Sequence, residues 1–280
     1  MSDTQHHSIE QSIQCIEEKW ITHLNNFVKE KFSGVWLPSH DHSHHMRVWL
    51  FAKQILKEIA LKRQFEPDLQ FIESLIFCCF FHDVGLTVTL DERHGIESGR
   101  IFQSFYNSCK NCVNLNTNSI IRCIELHDDK NYTGKTEISD KLLHNILTVS
   151  DDLDAFGAVG VVRYLEIYWL RGNDIKDIPR KVLRNAQSRY DNFVRIFKDC
   201  SGLISYHIER YRYLTNFYSK LRKEDELNRK DNSTPYTKIV NGYIHLNIHK
   251  TRYLADLNYD TKDDSLGFYK QFRKELKFNS

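Results

Sequence analysis

The stretch Leu75–Phe81 is wholly apolar, runs straight into His82-Asp83, and is closed by Gly85. No other feature narrows the available folds as much. A helix apolar on nearly every side must be surrounded by other elements, which a single amphipathic layer cannot do. The run is also too short to cross a bilayer. An imidazole and a carboxylate at its end are costly to bury unless each has a partner. A divalent cation is the simplest partner that the two can share. The stretch therefore predicts a helix at the centre of a bundle, with half of a metal site at its C-terminal end.

The rest of the chain supplies the surrounding helices. Ile9, Ile13, Ile16, Trp20, Leu24, Val28 and Phe32 recur at spacings of three and four, one face of a long amphipathic helix. Ser33-Gly34 breaks it, and the polar stretch His40–His45 leads into a second helix with Val48, Phe51, Ala52, Ile55 and Ile59 inward. Pro67 and Asp68 suit the start of the helix that ends at Phe81. Further helices are predicted over 95–108, 119–126, 139–151, 162–170, 179–200 and 201–222. With 4 prolines and 11 glycines in 280 residues, little interrupts this periodicity, and the fold class is all-α. From Arg222 onward the chain becomes charged and polar. Residues 235–280 show brief alternation around Ile239-Val240 and Tyr243-Ile244, so a short hairpin, a docking arm or partial disorder is expected there.

Composition excludes several functions. The formal net charge is +2, from 39 basic and 37 acidic residues, which gives no electrostatic footing for a dedicated membrane or nucleic-acid binder. The residues after Met1 contain neither a basic nor an apolar leader, so the expected location is the cytoplasm. Of the seven cysteines, Cys78 and Cys79 read as small core residues, and Cys109-Lys110-Asn111-Cys112 lacks the second pair a zinc knuckle needs. A reduced, intracellular chain is expected.

Four metal-capable positions stand out at helix ends and on inner faces: His44, His82, Asp83 and Asp151. Asp151 lies four residues after the inward Leu147 and so shares its face. Two histidines and two aspartates suit Mn²⁺, Mg²⁺, Fe²⁺ or Zn²⁺ better than Ca²⁺, which prefers oxygen alone. Asp154 shares the face of Asp151, either to orient a water or ligand or to cap the Gly157 turn. There is no phosphate-cradling glycine loop, so an anionic substrate would be held by side chains. Arg47, Lys135 and Arg163 are the candidates, with pairing to a carboxylate as the other reading of Arg47.

This order of parts resembles the HD-domain superfamily of metal-dependent phosphohydrolases, whose pattern is H…HD…D on a helical bundle. Asp41-His42-Ser43-His44-His45-Met46-Arg47-Val48 is similar to the D-x-S-H-x-x-R-V opening of a subgroup of small soluble HD hydrolases, some of them nucleotide pyrophosphohydrolases. Ser150-Asp151-Asp152-Leu153-Asp154-Ala155-Phe156-Gly157-Ala158-Val159-Gly160 looks like the subgroup's A-D-R-L-D-A-x-G-A-x-G. The resemblance implies an HD-domain bundle over residues 1–222 with a small extension over 223–280. It implies a divalent metal, Mn²⁺ first, on His44, His82, Asp83 and Asp151, with Asp83 also hydrogen-bonding the attacking water. The implied substrate is a nucleotide or other small phosphate ester. A phosphodiesterase or nuclease and a non-catalytic nucleotide sensor are the alternatives, and nucleic acid is the less favoured partner.

In HD proteins with two metals, histidines placed like His94 and His127 hold the second ion. Here His127-Asp128 stands where those proteins carry two histidines. The expectation for His94 and His127 is thus catalytic, through substrate phosphate contacts or hydrogen bonds behind the metal, with a second ion as the less favoured alternative. His40, His42 and His45 are expected to be solvated or to support His44. The basic residues between Arg180 and Lys198, Arg189 among them, are expected to form a solvated helix face.

Overall fold

A computed structural model describes residues 2–63, 65–109, 115–129, 141–226, 234–246, 253–257 and 267–278. Among them are eleven α-helices and no strand, so the protein is all-α. The helices are α1 (Ser2–Lys31), α2 (His42–Arg63), α3 (Leu69–Phe81), α4 (His94–Ser108), α5 (Thr117–Glu125), α6 (Lys141–Asp154), α7 (Gly157–Leu170), α8 (Ile178–Ile196), α9 (Ser201–Glu226), α10 (Pro235–Leu246) and α11 (Phe268–Phe278).

The apolar helix α3 is the centre. It packs against α1, α2, α4, α5 and α6, and its residues from Leu75 to Phe81 are completely enclosed. Phe81 meets Phe27, Phe102 and Phe105 with ring centroids 5.0–5.3 Å apart, and Trp20 meets Phe77 at 4.9 Å. These tilted and edge-on contacts add about 0.5–1.5 kcal/mol per pair beyond the burial itself. Asp68 caps α3 by accepting the Phe71 amide at 2.7 Å, which satisfies one of the orphan donors of its first turn. The segment Leu69–Thr87 is long and apolar enough on composition to cross a membrane, but most of it is buried inside the bundle.

α3 ends where its chemistry begins. The His82 amide makes the last helical bond, to Cys78 O, and Asp83 leaves helical geometry at φ −108°, ψ 4°. The chain then passes through a 3₁₀ turn, Val84–Thr87, pressed against the start of α4. Gly85 permits that approach, since a Cβ there would lie 2.0 Å from the His94 carbonyl oxygen. The glycine thus sets the distance between Asp83 and His94.

Two expectations need correction. The alternation in 235–246 is not a hairpin: Ile239, Val240, Tyr243 and Ile244 are buried together on one face of α10. Positions i, i+1, i+4 and i+5 fit a helical stripe, and so short an apolar run does not distinguish the two periods. α10 packs on α7 and α9, and α11 on α7. Cys109 is disulfide-bonded rather than reduced, while Cys15, Cys78, Cys79, Cys123 and Cys200 form no disulfide.

Candidate metal centre

His44 enters from the first turn of α2. Asp41 sets that turn by accepting the Ser43 amide at 2.9 Å, an N-cap arrangement that accounts for the aspartate and serine just before the histidine. The His44 ring donates from Nδ1 to Asp154 Oδ2 at 2.8 Å, which leaves Nε2 bare and facing inward. His82 donates from Nδ1 to Cys79 O at 2.9 Å, and its Nε2 faces inward likewise. The two Nε2 atoms lie 3.1 Å apart. Asp83 Oδ2 is 3.3 Å from His44 Nε2 and 3.5 Å from His82 Nε2, and Asp151 Oδ1 is 3.7 and 3.9 Å from the same two atoms. The four ligand atoms all lie within 4.8 Å of one another.

This arrangement fits a cation. A neutral imidazole with Nδ1–H committed has only a lone pair at Nε2. His82 Nε2 faces a second lone pair and two carboxylate oxygens. His44 Nε2 has one donor nearby, Arg163 Nη2 at 3.3 Å, which also pairs with Asp151 Oδ1 at 3.0 Å. Hydrogen bonds behind the ring that fix the imidazole tautomer are the usual support of a metal-ligating histidine. Protonation agrees: burial drives His82 down to about 3, so the ring is neutral. Burial opposes ionisation of Asp83, but His82, His127, His44 and His94 together hold its carboxyl well below the ordinary range. Neutral imidazole and ionised carboxylate are the forms that bind metal.

The other oxygen of Asp83 serves a second group. His127 donates from Nδ1 to Ile124 O at 2.7 Å and places Nε2 3.0 Å from Asp83 Oδ1. His94 donates from Nδ1 to Asp91 O at 2.8 Å and places Nε2 3.4 Å from the same oxygen. Asp83, His94 and His127 therefore form a second metal-capable triad, joined to the first by one carboxylate. Burial would lower the His94 pKa, yet the Asp83 carboxylate outweighs it and holds the ring up at about 9.

A cavity of about 510 Å³ opens in front of these groups, with Asp83, His94, His127, Asp151 and Arg163 in its lining. Tyr164 and Tyr168 of α7 and Asn185 and Arg189 of α8 also line it. Glu92, Glu125, Asp128 and Asp129 contribute to the remaining lining.

Not every predicted residue reaches this space. Arg47 is enclosed and binds Asp154 through both oxygens, at 2.7 and 3.0 Å, and Ser43 Oγ at 2.8 Å. Its place matches the carboxylate-pairing reading rather than substrate contact. Asp154 is also fully enclosed and does not line the cavity; it orients His44 from behind. Lys135 and its loop lie outside the described residues.

Other residues do reach it that sequence reasoning had set aside. Arg189 is buried, with Nη1 2.7 Å from Asp152 Oδ1 and 3.4 Å from Asp151 Oδ2. Its position seven after Val182 and four before Phe193 puts it on the inward stripe of α8, a signal that was readable. His40 lines the cavity, and His45 is wholly enclosed between Phe32, His44 and His82; neither is solvated. Comparison with family models, curated proteins and solved structures returned no match to the chain.

Proposed function

We propose that this protein is a metal-dependent phosphohydrolase acting on a nucleotide or a related small phosphate ester. The observation that carries the reading is the convergence of four imidazole Nε2 atoms, each with Nδ1 tied back, on one buried aspartate. His44, His82, Asp83 and Asp151 would hold one divalent ion, and Asp83, His94 and His127 suit a second. Mixed nitrogen and oxygen donors favour Mn²⁺ and admit Mg²⁺, Fe²⁺ or Zn²⁺. An ion there supplies Lewis-acid polarisation of a phosphoryl oxygen and lowers the pKa of a water.

The chain's own groups do the rest. Asp83, common to both sets of ligands, would hydrogen-bond the attacking water. Arg163 and Arg189 flank Asp151 in the cavity lining and would present guanidinium groups to phosphoryl oxygens. Asp154 keeps the His44 ring turned, and Tyr164 and Tyr168 offer ring surface in the lining. The cavity volume suits one small molecule. Its acidic lining, Glu92, Glu125, Asp128 and Asp129, does not suit a long polyanion, which favours a small ester over nucleic acid.

The test is a Mn²⁺-supplemented screen of nucleoside mono-, di- and triphosphates, cyclic nucleotides and oligonucleotides, run on the wild type and Asp83→Ala. The wild type is expected to hydrolyse at least one small substrate, with the variant down by about 10³-fold or more, the scale of an electrostatic contact made to the transition state. Equal hydrolysis by both proteins would sink the assignment of Asp83. Metal uptake without turnover of any phosphate ester would favour the sensor.

A further inference from the structure

We infer that the C-terminal segment from α10 to α11 is a built-in brace of the metal centre, with Glu275 as its positioning residue. The inference rests on the metal-centre reading above. α6 carries Asp151 and Asp154 in its last turn, and α7 begins only three residues later, at Gly157. How those carboxylates are aimed depends on this tight turn, and the turn is clasped from two sides.

Arg210 of α9 holds the α6 end, donating Nη1 to Leu153 O at 2.9 Å and Nη2 to Phe156 O at 3.0 Å. A cation belongs there, because the carbonyl end of a helix carries partial negative charge. Glu275 of α11 holds the α7 end, accepting the amides of Ala158 at 3.0 Å and Val159 at 3.2 Å. The first amides of a helix need such an acceptor, and the N-cap residue, Phe156, has no side chain able to serve. A residue 117 positions along the chain supplies the missing cap. Gly157 leaves room for it. Its φ is +75°, and a Cβ there would lie 2.4 Å from Glu275 Oε2. Gln271 donates to Glu275 Oε1 at 2.9 Å, and Arg210 lies 3.9 Å from Oε2.

The C-terminal elements also hold the entry to α2, three to five residues before His44. Tyr243 of α10 donates its hydroxyl to Glu166 Oε2 at 2.6 Å. The other oxygen of this buried glutamate accepts Ser39 Oγ at 2.6 Å and lies 3.1 Å from His40 Nδ1. The Leu254 amide donates to Asp41 Oδ2 at 3.0 Å, and Oδ1 of that aspartate caps α2. Three separate contacts thus tie the start and body of α7 and the entry to α2 to the C-terminal elements.

The experiment uses the full chain and two readouts, Mn²⁺ affinity by calorimetry and hydrogen exchange of the Ala158 and Val159 amides. Glu275→Ala is compared with Glu275→Gln, which keeps one acceptor, and with Ile13→Ala, a core truncation in α1. Glu275→Ala is expected to weaken Mn²⁺ binding about tenfold, the low end for residues supporting metal ligands. Glu275→Gln is expected to fall between it and the wild type, and Ile13→Ala to bind as the wild type does. Unchanged affinity in Glu275→Ala, or a loss no greater than in Ile13→Ala, overturns the brace. If the wild type takes up no Mn²⁺, the metal-centre reading fails by itself, and amide exchange decides the brace: faster exchange in Glu275→Ala supports it and unchanged exchange overturns it. Should Glu275→Ala fail to fold, Tyr243→Phe removes a single hydroxyl; weaker Mn²⁺ binding then supports the brace and unchanged binding overturns it.

Discussion

Replacing Asp154 by Asn separates stability from metal binding. The substitution keeps volume, so no cavity forms, but it removes a buried charge that pairs with Arg47 through both oxygens and with Arg163 at 3.3 Å. Arg163 retains Asp151, whereas Arg47 keeps only Ser43 Oγ and whatever the new amide oxygen offers. Stranding one partner of a buried pair costs about 3–5 kcal/mol, a large share of the ~5–15 kcal/mol that holds most domains folded. Independently, His44 Nδ1 loses its carboxylate acceptor, and weakening such a contact costs about 10–100-fold in metal affinity. The double variant Asp154→Asn/Arg47→Met pulls the two effects apart. Removing the stranded guanidinium is expected to restore stability in urea denaturation, while Mn²⁺ affinity by calorimetry stays low. If the double variant regains both, Asp154 does not orient His44. A loss under about 1 kcal/mol in the single variant would refute the buried-pair energetics themselves.

Two further outcomes are expected. Gly85→Ala forces the 3₁₀ turn away from the His94 carbonyl, which a Cβ would meet at 2.0 Å. Overpacking of this kind costs about 1–3 kcal/mol, read as a lower melting temperature, and an unchanged melting temperature would contradict the packing. Burial, with Arg210 adding to it, holds the His207 ring well below its usual pKa. The unfolded chain therefore takes up a proton near pH 6.5 that the folded protein refuses, and stability declines as pH falls below about 6.5, by up to ~1.4 kcal/mol per pH unit. The buried His40, His45 and His82 contribute in the same sense, so His207→Leu should lessen the slope by its one-proton share in urea titrations at pH 7.5 and 5.0; identical slopes would refute it.

Much of the fold was legible because its signal is local. The stripe from Ile9 to Phe32, the enclosed run before His82 and the capping aspartate ahead of Phe71 all act within a few residues. The four ligand candidates were legible for a related reason. Each sits at a helix end or on an inward face, where a charged or imidazole side chain is conspicuous against apolar neighbours. The hairpin expectation for 235–246 failed where the local signal was weakest, in pairs of apolar residues compatible with either period.

What the chain's sequence determined alone is the helices as far as residue 222, the centrality of α3, and the residue types available to hold a cation. Tertiary structure decided how those residues divide their work. Arg47 and Asp154, which share a helix face or motif with the ligands, pair behind His44. Arg189, on a helix that reads as mostly solvated, turns inward to Asp151 and Asp152. Glu275 caps a helix 117 positions away. The physical reason is range. Helical periodicity is set by backbone bonds four residues apart, whereas a buried charge takes whichever opposite charge the packing of distant helices brings within about 3 Å.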